Sequence, residues 1–288
     1  MFIDIHAHAY REVRNHPNRF VTAEELLAAY DRIGVERGVL LPLASQEFNL
    51  PQTNEETLDI AGRHADRFIP FCNVDLRAWG ESQVEPIGAI LRRYRDMGCR
   101  GVGEVISNVP FFDPLAQSLF EAAQEMGWPI IFHVATQIGG MYGLYDDPGL
   151  PQFEQCLKRF PALKFLGHSP AFWSEIAALD KPEDRNSYPN YPVRAEGVLP
   201  RLFRQYPNLH GDLSAGSGHN ALARDPDHGV KFLEEFQDRL LFGMDICCPG
   251  REPPLPGFLT GLRDSGKISE AIFNKIAREN ALELLGLG

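Results

Sequence analysis

The chain has 288 residues, of which 44% are hydrophobic and 23% charged. That is ordinary globular composition, with enough apolar material for one large core and no sign of disorder or a repeat array. A formal net charge of −11 argues against nucleic acid or an anionic membrane as a partner, because both would be repelled.

No apolar run approaches the ~20 residues of a membrane helix. The start, Met1 to His6, has an early acid and no basic region, so it does not read as a signal peptide. Five cysteines (Cys72, Cys99, Cys156, Cys247, Cys248) without metal-knuckle spacing point to reduced thiols and a cytoplasmic location. The adjacent pair Cys247–Cys248 reads as two small loop residues rather than a redox switch.

In chain order, short β-branched or apolar runs alternate with helical stretches. Phe2 to His8 is the first predicted strand, and a helix opens at Thr22, which has capping-box spacing to Glu25. Val35 to Pro42 is the second strand, followed by a helix from Thr53 and Glu56 to about Asp66. Phe68 to Asp75 is the third strand, with a helix from about Glu81 to Met97. Arg100 to Ile106 is the fourth, and the helix from Pro114 to Met126 stops at Gly127. Pro129 to Val134 is the fifth strand, followed by a helix from Gln152 to Phe160, and Leu163 to His168 is the sixth. The segment from Asp180 to Val198, rich in Pro, Tyr and Asn, reads as a functional loop with helical turns. Asn208 to Ser214 and Arg239 to Asp245 are the seventh and eighth strands. A Pro-rich loop, Ile246 to Gly257, leads to the last helices, which finish at Leu285.

Eight mostly apolar strands separated by helices predict an α/β fold: a single (β/α)8 TIM-type barrel over residues 1–288. An open doubly wound sheet would want a Gly-rich phosphate turn after its first strand, where this chain reads HAHAY. The GVGE glycines lack the full dinucleotide fingerprint.

His6 and His8 lie two apart on a strand and so share a face, while Ile3, Ile5 and Ala7 are expected on the other, under the helices. Two imidazoles there can chelate one cation. Glu104, His133, His168 and Asp245 stand at or near the C-terminal ends of four later strands, and a barrel brings those ends to one mouth. The expectation is a site for a divalent metal, zinc first and manganese second.

With those residues in hand, the chain resembles the amidohydrolase superfamily, and within it the amidohydrolase-related group that also contains metal-dependent decarboxylases. The matching stretches are IDIHAH, IIFHV, PALKFLGHSP, YPNLHGDLS, LLFGMD and NKIARENALELLG, which run from the first strand to the last helix. The resemblance implies His6, His8, His133 and Asp245 as metal ligands, and His168 as a histidine that contacts substrate or attacking water in one-metal members. Many two-metal members carry a carbamylated lysine at the end of strand four. This chain has Glu104 there, which resembles the bridging glutamate of TatD-type members, and one ion is favoured over two.

The expected chemistry is hydrolysis of a small polar amide, ester or lactone, with Asp245 moving the water's proton and His168 assisting the oxyanion. The alternative on the same site is non-oxidative decarboxylation of an aromatic or enoic acid, which needs a cationic pocket. Arg77 or Arg251 are the candidates for that role. Ser214, His219 and Trp173, with Tyr142 and Tyr145, are further candidates for shaping the substrate. His16, His64, His210 and His228 have no supporting constellation and read as structural. A binding protein on a degenerate barrel is disfavoured by the intact ligand set. The expected partner is a small molecule, with homo-oligomerisation expected by fold analogy alone.

Overall fold

A computed structural model describes residues 1–13, 19–48, 50–79 and 86–287. Its strands are β1 (Phe2–Ala7), β2 (Val35–Leu40), β3 (Phe68–Pro70), β4 (Val102–Val105), β5 (Ile130–Ala135), β6 (Leu144–Tyr145), β7 (Phe165–His168), β8 (Leu209–Asp212) and β9 (Leu240–Leu241). β6 is a two-residue addition beside β5, so β7, β8 and β9 are the sixth, seventh and eighth staves.

All pairings are parallel, in the orders β1-β2-β3 and β4-β5-β7-β8-β9. Backbone hydrogen bonds close both seams. Cys72 N donates to Gly101 O at 3.1 Å and Gly103 N to Cys72 O at 2.9 Å; across the other seam Ile5 N donates to Phe242 O at 3.0 Å and Asp245 N to His6 O at 2.9 Å. The result is an eight-stranded parallel barrel with helices outside. Strands β3 and β9 are shorter than expected, although Phe71 N and Cys72 N still donate to Leu40 O and Gly101 O beyond β3.

The helices are α1 (Ala23–Ile33), α2 (Asn54–Arg63), α3 (Ile87–Asp96), α4 (Pro114–Glu125), α5 (Pro151–Arg159), α6 (Pro170–Trp173), α7 (Val198–Gln205), α8 (Ala215–Ala223), α9 (Pro226–Glu235), α10 (Leu255–Asp264), α11 (Glu270–Asn274) and α12 (Asn280–Leu285). Thr22 and Glu25 form the expected capping box on α1, and Thr53 caps α2 by accepting from Glu56 N. The expected start of the third helix at Glu81 falls on residues 80–85, outside the described residues, as does His16. The sequence reading does not separate α8 and α9; α8 carries Gly216 and Gly218, which weaken its helical signal. Among the described residues no helix is long and apolar enough to cross a membrane.

The loop from Asp180 to Val198 holds one 3₁₀ turn, Pro182–Asn186. Buried Arg185 ties it down: Nε donates to Glu175 Oε1 at 2.8 Å, and the two Nη atoms donate to the carbonyls of Asp146 and Asp147 at 2.9 and 3.0 Å.

The core has two main layers. A large outer cluster packs the strands against the helices. The barrel interior is filled by Ile3, Ile5, Val39, Leu41, Ile69, Phe71, Ile131, Leu166 and Leu241, with Leu285 of α12 in the same cluster. This corrects one expectation, because Ile3 and Ile5 belong with the interior cluster rather than under the helices. The cause is a register shift in β1 between Asp4 and Ala7. One extra residue there lets Ile5 and His6 both turn inward, as a bulge does next to a site.

Candidate active site

The same device acts twice. Strand β4 also shifts register, between Val102 and Val105, and this turns Glu104 inward. Gly103 permits it: its φ is 143°, and a Cβ there would lie 2.7 Å from Ile131 O. On β5 and β7 plain alternation suffices. Ile131 and Leu166 fill the interior, and two residues on, His133 and His168 stand above them. Asp245, just past β9, is held in the left-handed region at φ 51°, a costly conformation for a non-glycine residue and a mark of functional sites.

These side chains converge. His6 Nε2 lies 3.0 Å from His8 Nε2. Glu104 Oε2 is 3.5 Å from the first of these nitrogens and 3.6 Å from the second, and Asp245 Oδ1 is 3.9 and 3.6 Å from them. Glu104 Oε1 accepts from His133 Nδ1 at 2.9 Å and lies 3.9 Å from His168 Nε2. Three overlapping triads result: His6, His8 and Glu104; His6, His168 and Asp245; Glu104, His133 and His168. In each, the ligand atoms lie within 4.8 Å of one another.

The tautomers of the first pair follow from their partners. His8 Nδ1 faces the Leu41 carbonyl at 2.9 Å, which only accepts, so Nδ1 carries the proton. His6 Nδ1 donates to Asp212 Oδ2 at 2.6 Å. Two Nε2 lone pairs then meet at 3.0 Å, a contact that needs positive charge between them. Burial opposes charge on His6, yet the Asp212 and Glu104 carboxylates outweigh it and lift its pKa well above the imidazole range. Burial would raise Glu104, but His6, His133 and His8 hold it well below the carboxylate range. Asp212 is lowered in the same way by His6 and His168. His133 is pushed down, chiefly by burial. A proton serves one nitrogen pair; a cation would serve both nitrogens and both carboxylates. The donor set, imidazole with carboxylate, therefore fits a divalent metal.

A cavity of about 280 Å³ opens over the cluster, lined by His8, Glu104, His133, His168 and Asp245. Phe20, Phe48, Tyr142 and Tyr188 give it apolar walls, and Arg251 and Glu252 line it from the loop after β9. The Tyr142 ring packs on His133 at 4.5 Å. Arg251 is thus beside the cluster.

Other expected residues are placed elsewhere. Arg77 is ion-paired with Glu47 and with Asp75, the latter at 3.1 Å, so its charge is already engaged. Trp173 is fully buried, packs on Phe172, and donates from Nε1 to Asp212 O at 2.8 Å; it supports the end of β8 and does not wall the cavity. Ser214 is fully buried, with its Oγ 2.9 Å from His168 Nδ1, so it touches a site histidine rather than a substrate. His219 sits on α8 with its ring edge against Phe258. Tyr145 donates to Asp147 Oδ1 at 2.6 Å. Neither His219 nor Tyr145 lines the cavity.

Sequence reasoning missed Asp212, which is fully buried at the end of β8. The available signal was an aspartate inside an otherwise buried strand. It missed Asp4 as well. Asp4 Oδ1 accepts from His6 N and Met244 N and Oδ2 from the Tyr30 hydroxyl, stitching β1 to the segment after β9 and to α1. Burial pushes its pKa up to about 7.

The family model described as Amidohydrolase (Amidohydro_2) matches residues 3–287. No curated protein matches the sequence. Among solved structures the chain is similar to a probable 2-pyrone-4,6-dicarboxylic acid hydrolase from Acinetobacter baumannii, with 15% identity and a TM-score of 0.61 over 99% of each chain. It is similar to 5-carboxyvanillate decarboxylase from Sphingomonas paucimobilis, with 17% identity and a TM-score of 0.58 over 92% of this chain and 83% of that one. It is also similar to 2,6-dihydroxybenzoate decarboxylase from Rhizobium, with 17% identity and a TM-score of 0.56 over 99% of this chain and 98% of that one. At such identities the likeness shows a shared fold.

Proposed function

The chain belongs to the amidohydrolase family, whose members are enzymes, and from that premise we propose that it is a metal-dependent hydrolase of a small polar amide, ester or lactone. The observation that carries this reading is the 3.0 Å approach of His6 Nε2 to His8 Nε2, with the Glu104 and Asp245 carboxylates around them. His6, His8, Asp245 and Glu104 hold the cation, zinc or manganese. One ion is the proposed count, because His133 is turned toward Glu104 rather than toward the His6–His8 pair.

The cation, when bound, supplies Lewis acidity that acidifies water and polarises a carbonyl. Asp245, with a side chain 22% exposed to the cavity, takes the proton of the attacking water and returns it to the leaving group. His168, which lines the cavity, hydrogen-bonds the substrate oxygen on which charge develops. The apolar walls exclude water and hold the uncharged part of the substrate.

With a divalent cation on Glu104 and Asp245, the remaining lining charges are Glu252 and Arg251, which balance. Arg251 in turn supports a second reading, decarboxylation of an aromatic acid held by that guanidinium between aromatic walls.

The test has two arms. Protein purified without chelators should carry close to one equivalent of zinc or manganese, absent from a His6→Ala/His8→Ala variant of native circular dichroism. Two equivalents would make Glu104 a bridge between two ions, and no uptake even after soaking would sink the metal reading. In a substrate panel, carbon dioxide release from hydroxybenzoates without turnover of lactones, esters or amides would replace hydrolysis by decarboxylation.

A further inference from the structure

Two site histidines, far apart in sequence, lean on one oxygen atom. His6 Nδ1 donates to Asp212 Oδ2 at 2.6 Å, and His168 Nδ1 lies 3.2 Å from that same Oδ2. The rings of His6 and His168 stand 4.4 Å apart. All three side chains are buried, Asp212 completely. A carboxylate at that depth is costly unless its lone pairs are matched, and here every contact is built to hold it.

Three elements fix Asp212 in place. Its Oδ1 accepts from Ser214 N at 2.9 Å, and its carbonyl accepts from Trp173 Nε1 at 2.8 Å. Gly243 leaves the space it occupies: a Cβ there would lie 2.7 Å from Asp212 Oδ1 and 2.7 Å from Ser214 Cβ. Ser214 Oγ adds a second contact to His168 Nδ1 at 2.9 Å.

We propose that Asp212 is the positioning residue of this site, its Oδ2 pinning the Nδ1 edges of His6 and His168 so that both Nε2 edges are presented to the metal cluster and cavity together. This rests on the metal-dependent reading for what the Nε2 edges do, and on geometry alone for the pinning. His6 is a ligand candidate and His168 a substrate contact. Orientation of both by one atom means that loss of the carboxylate disturbs metal binding and substrate contact at once. An outer partner of a metal-bound histidine is typically worth about 10–100-fold in affinity.

The experiment compares zinc affinity, by competition with a chromophoric chelator, in wild type, Asp212→Asn and Ser214→Ala. It also records the far-downfield imidazole N–H proton resonances of the same proteins without metal. Asp212→Asn keeps the shape and removes the charge. It should bind zinc about 10–100-fold more weakly and move at least one N–H resonance out of the far-downfield region, with the circular dichroism unchanged. Ser214→Ala, which touches only the His168 side, should leave zinc affinity within about twofold of wild type. Zinc affinity and imidazole resonances unchanged in Asp212→Asn would overturn the proposal. Should Asp212→Asn fail to fold, Gly243→Ala, which crowds the carboxylate without altering any charge, should weaken zinc in the same direction, and wild-type affinity there would overturn the proposal too. Wild-type protein that takes up neither zinc nor manganese would defeat the functional reading, and the imidazole resonances would then decide the role of Asp212 by themselves.

Discussion

The lower and upper halves of the barrel interior use the same strands for opposite purposes. On β5, Ile131 sits below and His133 above; on β7, Leu166 sits below and His168 above. The lower half is an apolar layer of Ile, Val, Leu and Phe with α12 packed against it. The upper half is buried as well, yet it gathers four histidines and three carboxylates, Glu104, Asp212 and Asp245. A period-2 strand can therefore carry stability and chemistry on one face, separated only by height. Where plain alternation would fail, as in β1 and β4, a register shift supplies the missing turn.

That division of labour can be broken from either side. The largest effect is expected above. Asp245→Asn should lower kcat by about 10²–10⁴-fold, as loss of a general base does, while the thermal midpoint moves little. A midpoint drop of many degrees would mean that the upper layer also bears stability. The next effect lies below. Leu166→Ala, at a fully buried site, should cost about 2–5 kcal/mol in denaturant unfolding and leave metal stoichiometry unchanged at low temperature. Loss of metal in that variant would show that the two layers are coupled.

The smallest effect sharpens the contrast with carboxylates outside the barrel. Asp146, buried under the β6–α5 turn, accepts from Asp147 N, Gln152 N and Phe153 N, and burial still raises its pKa from 3.8 to about 6. A raised folded-state value means that the charged form is disfavoured by folding. Its contribution to stability is therefore greatest below 3.8 and declines as pH rises through about 6, at no more than roughly 1.4 kcal/mol per pH unit. Wild type should lose stability relative to Asp146→Asn across that interval in parallel urea titrations. Two parallel curves would remove the assignment.

Much of this protein was settled by local pattern. The alternation of apolar runs with capped helices determines the eight staves, and the positions of His6, His8, His133 and His168 relative to the strand ends predict which residues can meet at one mouth. Short-range rules suffice for these because period and capping are properties of neighbouring residues. Tertiary structure alone decided the rest. Ile5 and His6 turn inward together because β1 changes register against β2. Arg77 is engaged by Asp75, two residues away, and by Glu47, thirty positions away on another loop. Trp173 goes beneath β8 to hold the carbonyl of Asp212, and Asp212 reaches His6 across 206 positions of sequence. No short-range pattern encodes such contacts, because each joins residues on separate elements that only the folded barrel sets side by side.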